Sequence, residues 1–221
     1  MKVILFGATG MVGQGVLLEC LDSSAVESVL AVGRHATGRQ HPKLKEIQHA
    51  DFTDFRAIES EFAGGDACFY CMGVSSLGVA EADYRRLTYD FALAAARSMA
   101  RVAPAITFIY VSGSGTDSSE KGSLMWARVK GKTENEILAL LPNAYAFRPA
   151  YIQPLRGVVA ATGWLRTLYS VVGPLFPVWK LLFGKYVTTT VQVGRAMLHV
   201  ARHGAPKRVL ENADISGLGS A

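Results

Sequence analysis

The sequence predicts an α/β protein built on a doubly wound parallel sheet. Three observations carry that expectation. Apolar runs alternate with helical stretches along most of the 221 residues, the order that builds a parallel sheet with helices on both faces. These runs lack the in–out alternation of a half-exposed strand, as strands covered on both sides require. The first run, ending at Phe6, leads directly into Gly7-Ala-Thr-Gly10-Met-Val-Gly13 and then a helix. Strand, glycine turn and helix N-terminus together present backbone N–H groups to a pyrophosphate, so the expected fold is of Rossmann type.

The elements follow in order. Val3–Phe6 is the first strand and Met11–Leu21 its helix. Ser28–Val32 is the second strand and ends in Gly33-Arg34. Ile47–His49 is a weak third strand, followed by Asp51 and a helix from about Phe55 to Phe62. Ala67–Cys71 is the fourth strand. A long helix is expected from about Ala80 to Val102, stopped by Pro104. Ile106–Val111 is the fifth strand and closes in Ser112-Gly-Ser-Gly-Thr116. A helix from about Leu124 to Leu140 stops at Pro142. Tyr145–Phe147 is the sixth strand and exits at Arg148-Pro149. Beyond it the texture changes: Ile152–Lys185 is rich in Gly, Pro, aromatic and aliphatic residues, and a helix over about Val191–His203 follows. The expectation is one domain over 1–221, with 150–190 as a small C-terminal helical lobe covering the substrate side of the cleft.

Composition narrows the function. Half the residues are hydrophobic and 19% are charged, which argues against disorder. The net charge of +5 has no dense Lys/Arg block, so it does not call for nucleic acid and suits an anionic ligand equally well. The five-residue apolar start is not a signal peptide, and no apolar run reaches membrane-spanning length. Three cysteines make no disulfide framework. Cys68 and Cys71 are spaced C-x-x-C, but in a strand residues three apart face opposite sides, so buried thiols in a reducing cytoplasm are the preferred reading. His199 and His203 sit four apart on a helix with no Glu or Cys in a recognisable metal pattern, and no metal is expected.

The glycine turn gives the first site residues. Gly7 permits the turn, Gly10 lets a phosphate approach the backbone, and Gly13 brings helix and strand together. Thr9, Met11 and Val12 belong to the same anion cradle. Arg34 stands where an acidic residue would bind a ribose diol, with Arg39 nearby; a guanidinium suits a 2′-phosphate, so NADP is expected over NAD. Asp51 accepts either an adenine amino hydrogen or the cap of the following helix, a role also open to Thr53 and Asp54. Phe52 is placed beside it.

Six motifs in order carry a family resemblance: Gly7-Ala-Thr-Gly10-x-x-Gly13, Val32-Gly-Arg34, Cys71-Met-Gly73, Tyr110-Val-Ser112, Lys130-Gly-x-Thr-Glu134 and Phe147-Arg-Pro149. The chain resembles the short-chain dehydrogenase/reductase superfamily. Within it the closest likeness is to atypical members of the NmrA-like, HIV-Tat-interacting-protein-like and NAD-dependent epimerase/dehydratase-like group, over about residues 1–155. The resemblance implies a Ser, Tyr and Lys working together. The Lys and Tyr lie one turn apart in a Y-x-x-x-K pattern; the Lys lowers the Tyr pKa and holds the nicotinamide ribose. The Tyr exchanges a proton with the substrate oxygen, which the Ser orients. Here Lys130 matches the Lys, and Ser114 or Ser112 matches the Ser. Trp126 occupies the Tyr position. An indole N–H donates but does not titrate near neutral pH; Tyr84, Tyr151 and Tyr186 are alternative proton sources. Lys130 could instead be a surface lysine paired with Glu134. Cys71, Met72, Gly73, Arg148 and Pro149 are expected along the cofactor, with Arg148 and Pro149 at its nicotinamide end.

The function this implies is NADP(H) binding, with an atypical oxidoreductase activity on a small apolar carbonyl or alcohol. The alternative, favoured by Trp126, is a non-catalytic dinucleotide-sensing regulator that binds a protein partner. An epimerase or dehydratase ranks last, because it needs the absent acid/base even more. A small-molecule substrate is expected, with a protein partner or a second copy of the chain as further company. The apolar stretch with Trp164, Tyr169, Phe176, Trp179 and Phe183 reads first as pocket wall or core. A membrane-surface contact through 164–185 is the less favoured reading.

Overall fold

In the computed structural model, residues 1–159 and 184–220 are described. Seven parallel strands form the main sheet, in the order β3-β2-β1-β4-β5-β6-β9. They are β1 (Lys2–Phe6), β2 (Ser28–Gly33), β3 (Leu44–Gln48), β4 (Ala67–Tyr70), β5 (Thr107–Val111), β6 (Ala144–Arg148) and β9 (Val209–Glu211). The helices are α1 (Met11–Asp22), α2 (Glu81–Arg85), α3 (Phe91–Val102), α4 (Met125–Leu140), α5 (Thr190–His203) and α6 (Asn212–Leu218). The winding reverses between β1 and β4, so the crevice above their carboxyl ends is the switch point where such sheets bind ligands.

Strand parity builds two cores. Val3, Leu5, Phe69, Ile109 and Phe147 point to one face and pack with Val16, Leu17, Val193 and Met197 of α1 and α5. Ile4, Phe6, Cys68, Tyr70, Phe108 and Tyr110 point to the other and pack with Ala96, Met99 and Ile137 of α3 and α4. Both faces are dry, which explains the unbroken apolar runs. Cys68 and Cys71 fall in opposite cores, as their spacing requires.

Several boundaries differ from expectation. The helix expected over Phe55–Phe62 is a single 3₁₀ turn, Glu59–Phe62. Asp51 and Asp54 bind the backbone of Thr53 and Arg56 in local turns, which compete with a helix there. The third strand starts at Leu44, before the expected Ile47; pairing with Val29–Gly33 recruits the polar residues Lys45 and Glu46. The expected long helix is α2 and α3 joined by a π-type turn, Arg86–Asp90. Strand β9 and helix α6 were not anticipated, because three residues carry too little pattern to read.

Of the expected lobe, 160–183 lies outside the described residues, including Trp164, Tyr169, Phe176, Trp179 and Phe183. Its described flanks hold a parallel two-stranded ladder, β7 (Tyr151–Gln153) against β8 (Val187–Thr189). Leu155 N–H also donates to Thr190 Oγ1 at 3.1 Å. Asn212 then links both sides, accepting from Ala150 N–H at 2.9 Å and donating to the Lys185 carbonyl at 3.0 Å.

Candidate functional site

The glycine turn has the tight geometry expected of it. Gly7 sits at φ +80°, and a Cβ there would lie 2.7 Å from the Cys71 carbonyl carbon. A Cβ on Gly13 would lie 2.0 Å from Gly7 O, so α1 begins pressed against the turn. Gly10 caps α1 without a side-chain bond; its own N–H donates to Gly7 O at 2.9 Å. The N–H groups of Met11, Val12 and Gly13 have no acceptor among the described residues. Three free donors at a helix N-terminus are an anion cradle.

Beside that cradle lies an open cleft of about 740 Å³. Its described walls are Gly10, Met11 and Val12 from α1, Cys71–Ser75 after β4, Val111–Ser114 after β5, Lys130 of α4, and Pro149, Ala150 and Ile152. Most expected residues therefore converge here: Gly10, Met11, Val12, Cys71, Met72, Gly73, Ser112, Ser114, Lys130 and Pro149. Val74, Ser75, Gly113, Ala150 and Ile152 join them. A smaller depression of about 340 Å³ adjoins the turn, lined by Ala8, Thr9, Gln14, Thr37, Gly38 and Arg39. Gln14 holds its rim by donating to Thr9 O at 2.8 Å.

Arg148 corrects the sequence reading. Strand parity turns it away from the cleft toward α4, because its neighbour Phe147 takes the opposite core. There it forms a bidentate pair with Glu134, a residue with no exposed surface. Arg148 also reaches Glu211 at 3.3 Å. Ser112 shares this parity: its hydroxyl donates to Glu134 Oε1 and to the Phe147 carbonyl. The Ser112 side chain is thus committed to the network under the cleft. The Ser114 hydroxyl makes no bond among the described residues, while its N–H is tied to Pro149 O at 2.9 Å. Ser114 is the better match to the orienting Ser.

Lys130 donates to the Ser112 carbonyl, at the cleft wall. Burial holds its ammonium down to about 8, with the Glu134 carboxylate opposing the shift. It is therefore not the solvated lysine considered above. Trp126 does not line the cleft as described; its ring edge would lie 3.4 Å from a Cβ on Gly115. Nor do the three tyrosines. Tyr84 is buried behind the sheet, Tyr151 donates to Gln153 Oε1 at 2.8 Å, and Tyr186 is exposed.

Arg34 is exposed and makes no ion pair among the described residues, whereas Arg39 lines the depression. Asp51 accepts from Thr53 N–H at 2.9 Å and Thr53 Oγ1 at 2.6 Å, the local turn role; these bonds lower its pKa. The Phe52 ring is buried among Phe6, Phe55 and Phe91 and lines no described cavity, so it is a core residue rather than a cofactor contact. Among the described residues no cluster of three or more metal-ligating groups occurs.

No family model matches the chain. Its curated relatives include Protein HTATIP2 of Rattus norvegicus, 26% identical over 223 residues and covering 99% of this chain and 89% of that one. Protein FMP52, mitochondrial, of Debaryomyces hansenii is 26% identical over 209 residues, covering 91% and 88%. Similar solved structures include Bordetella bronchiseptica WbmF in complex with NAD+ (TM-score 0.66, 15% identity, 98% of this chain and 76% of that one). Another is the Bacillus anthracis dTDP-glucose 4,6-dehydratase in complex with NAD (TM-score 0.67, 11% identity, 95% and 74%). The expected cytoplasmic location does not stand, because the fungal relatives are named mitochondrial proteins. Motifs, sheet order and relatives together match the pattern of the atypical short-chain dehydrogenase/reductase superfamily, to whose NmrA-like and epimerase/dehydratase-like proteins the chain is similar.

Proposed function

We propose that the chain binds NADP(H) in this cleft and acts as an atypical oxidoreductase on a small apolar carbonyl or alcohol. The observation that carries this is the row of free N–H groups at Met11–Gly13, opening into a largely apolar cleft that holds Lys130 and Ser114. The residues fit a dinucleotide in sequence: Thr9 and Arg39 at the adenosine end, Met11–Gly13 at the pyrophosphate, Lys130 and Ser114 at the nicotinamide end. The bound dinucleotide would supply or accept a hydride. The chain's own part is to orient the substrate oxygen through the Ser114 hydroxyl, hold Lys130 beside it and limit water with apolar walls such as Val74 and Ile152.

Arg39 is better situated than Arg34 to meet a 2′-phosphate, because it lines the depression beside the turn. Titrating NADPH and NADH by cofactor fluorescence tests the assignment. Arg39→Ala should weaken NADPH about tenfold or more and leave NADH nearly unchanged, as loss of a charge-assisted bond of about 1.5–3 kcal/mol requires. Equal weakening of both cofactors removes the phosphate role, and no binding of either removes the function.

A dinucleotide-sensing regulator remains the second reading. Trp126, a non-titrating side chain packed toward Gly115, favours it. NADPH binding with no oxidation across a carbonyl panel would decide for that reading.

A further inference from the structure

The cleft poses a proton problem. Reducing a carbonyl breaks the C=O π bond and forms a C–H and an O–H bond. A bound reduced dinucleotide would supply a hydride, and with it both electrons and the C–H bond; the O–H proton must come from elsewhere. Trp126 cannot release one near neutral pH. Tyr84, Tyr151 and Tyr186 do not line the cleft. Among its described lining residues, the side chains that titrate are Cys71 and Lys130. Cys71 packs into the α1 core near Cys20, and burial pushes its thiol far above the ordinary range.

We propose that Lys130 is the proton donor of this site: its ammonium protonates the substrate oxygen, and the amine left behind recovers a proton from water. In the oxidative direction the amine takes the alcohol proton. The inference rests on the oxidoreductase reading above. An ammonium has three donors, and one is committed to the Ser112 carbonyl. That carbonyl belongs to a residue pinned by Glu134 and Phe147, so the nitrogen is held at the wall. The surrounding charges do not lock the proton on nitrogen. Glu134, one turn further along α4, is engaged by Arg148 of β6, which also meets Glu211 of β9. Cys71 of β4 is a neutral thiol, and the lining residues of the β5 loop carry no charge. With burial holding the ammonium near 8, the acid is matched to neutral solution.

Two readouts test this. The first needs neither cofactor nor substrate: acetylation of Lys130 by acetic anhydride, followed by mass spectrometry across a pH series. Half-maximal reactivity near 8 is expected, against about 10.4 for an ordinary lysine. Co-titration of Lys130 with the surface lysines overturns the proposal. The second follows NADPH oxidation with phenanthrenequinone as the carbonyl probe. Wild-type kcat should fall as pH rises through about 8. Lys130→Arg keeps the charge and gives up the titration; at NADPH concentrations that saturate the variant it should lose about 10²–10⁴-fold in kcat. An unchanged rate in Lys130→Arg sinks the inference alone. Loss of NADPH binding in that variant, with an ordinary acetylation midpoint, reassigns Lys130 to seating the cofactor and also overturns it. Wild type that binds NADPH but reduces no carbonyl defeats the oxidoreductase reading, and the inference with it.

Discussion

Replacing Glu134 by alanine should strongly destabilise the protein, because it breaks a buried ion pair from one side. Its carboxylate is 1% exposed and its partner Arg148 is 11% exposed. Removing the acid strands a guanidinium in the interior, with the neutral Ser118 hydroxyl at 2.5 Å and the half-exposed Glu211 at 3.3 Å left to answer it. Breaking a buried pair from one side costs about 3–5 kcal/mol. In a protein of this length each kcal/mol lowers Tm by about 2–4 °C, so the expected fall is about 6–20 °C. Glu211→Ala is the matched control: it removes a rim carboxylate and should cost about 0–1 kcal/mol. Differential scanning fluorimetry on both variants decides. The double variant Glu134→Leu/Arg148→Met should recover most of the loss, because two apolar side chains leave no stranded charge. If Glu134→Ala melts within a few degrees of Glu211→Ala, the buried-pair argument is wrong.

Other outcomes follow from the same geometry. Gly13→Ala should abolish NADPH fluorescence binding, since the new Cβ would fall 2.0 Å from Gly7 O and push the turn out of shape; unaltered affinity would mean the turn does not hold the cofactor. Trp126→Tyr changes a position outside the cleft lining and should leave carbonyl reduction within a few-fold of wild type; a rise toward the roughly 10²–10⁴-fold contribution of a general acid would show that position 126 reaches the reacting oxygen. Cys20, Cys68 and Cys71 all have thiol pKa values raised by burial, so they are protonated at pH 8. Iodoacetamide should label the buried Cys20 and Cys68 only after denaturation and Cys71, at the cleft wall, slowly in the native protein; rapid native labelling of Cys20 or Cys68 would contradict their burial.

Much of this architecture could be read from residue order. Strands β1, β2, β4, β5 and β6 were legible because each is an unbroken apolar run ending in a small or polar residue. The glycine turn was legible because its chemistry is local. What escaped was set by partners distant in sequence. Strand β9 is three residues long and exists because β6 offers it an edge. The start of β3 is polar and is recruited by β2. Arg148 looked like a cofactor contact because it exits a strand beside Pro149, yet parity sends it to Glu134, fourteen positions back. A signal did exist: Glu134 occupies the same face of α4 as Ala127 and Ile137, where a carboxylate needs a cation. That Arg39 lines the depression is likewise set by loop geometry, which residue spacing does not reveal.

The chain's departure near Tyr151 and its return near Val187 are zipped to one another and clipped by a single asparagine. Each flank thus anchors the other, and one side chain, Asn212, sets the spacing of the two ends.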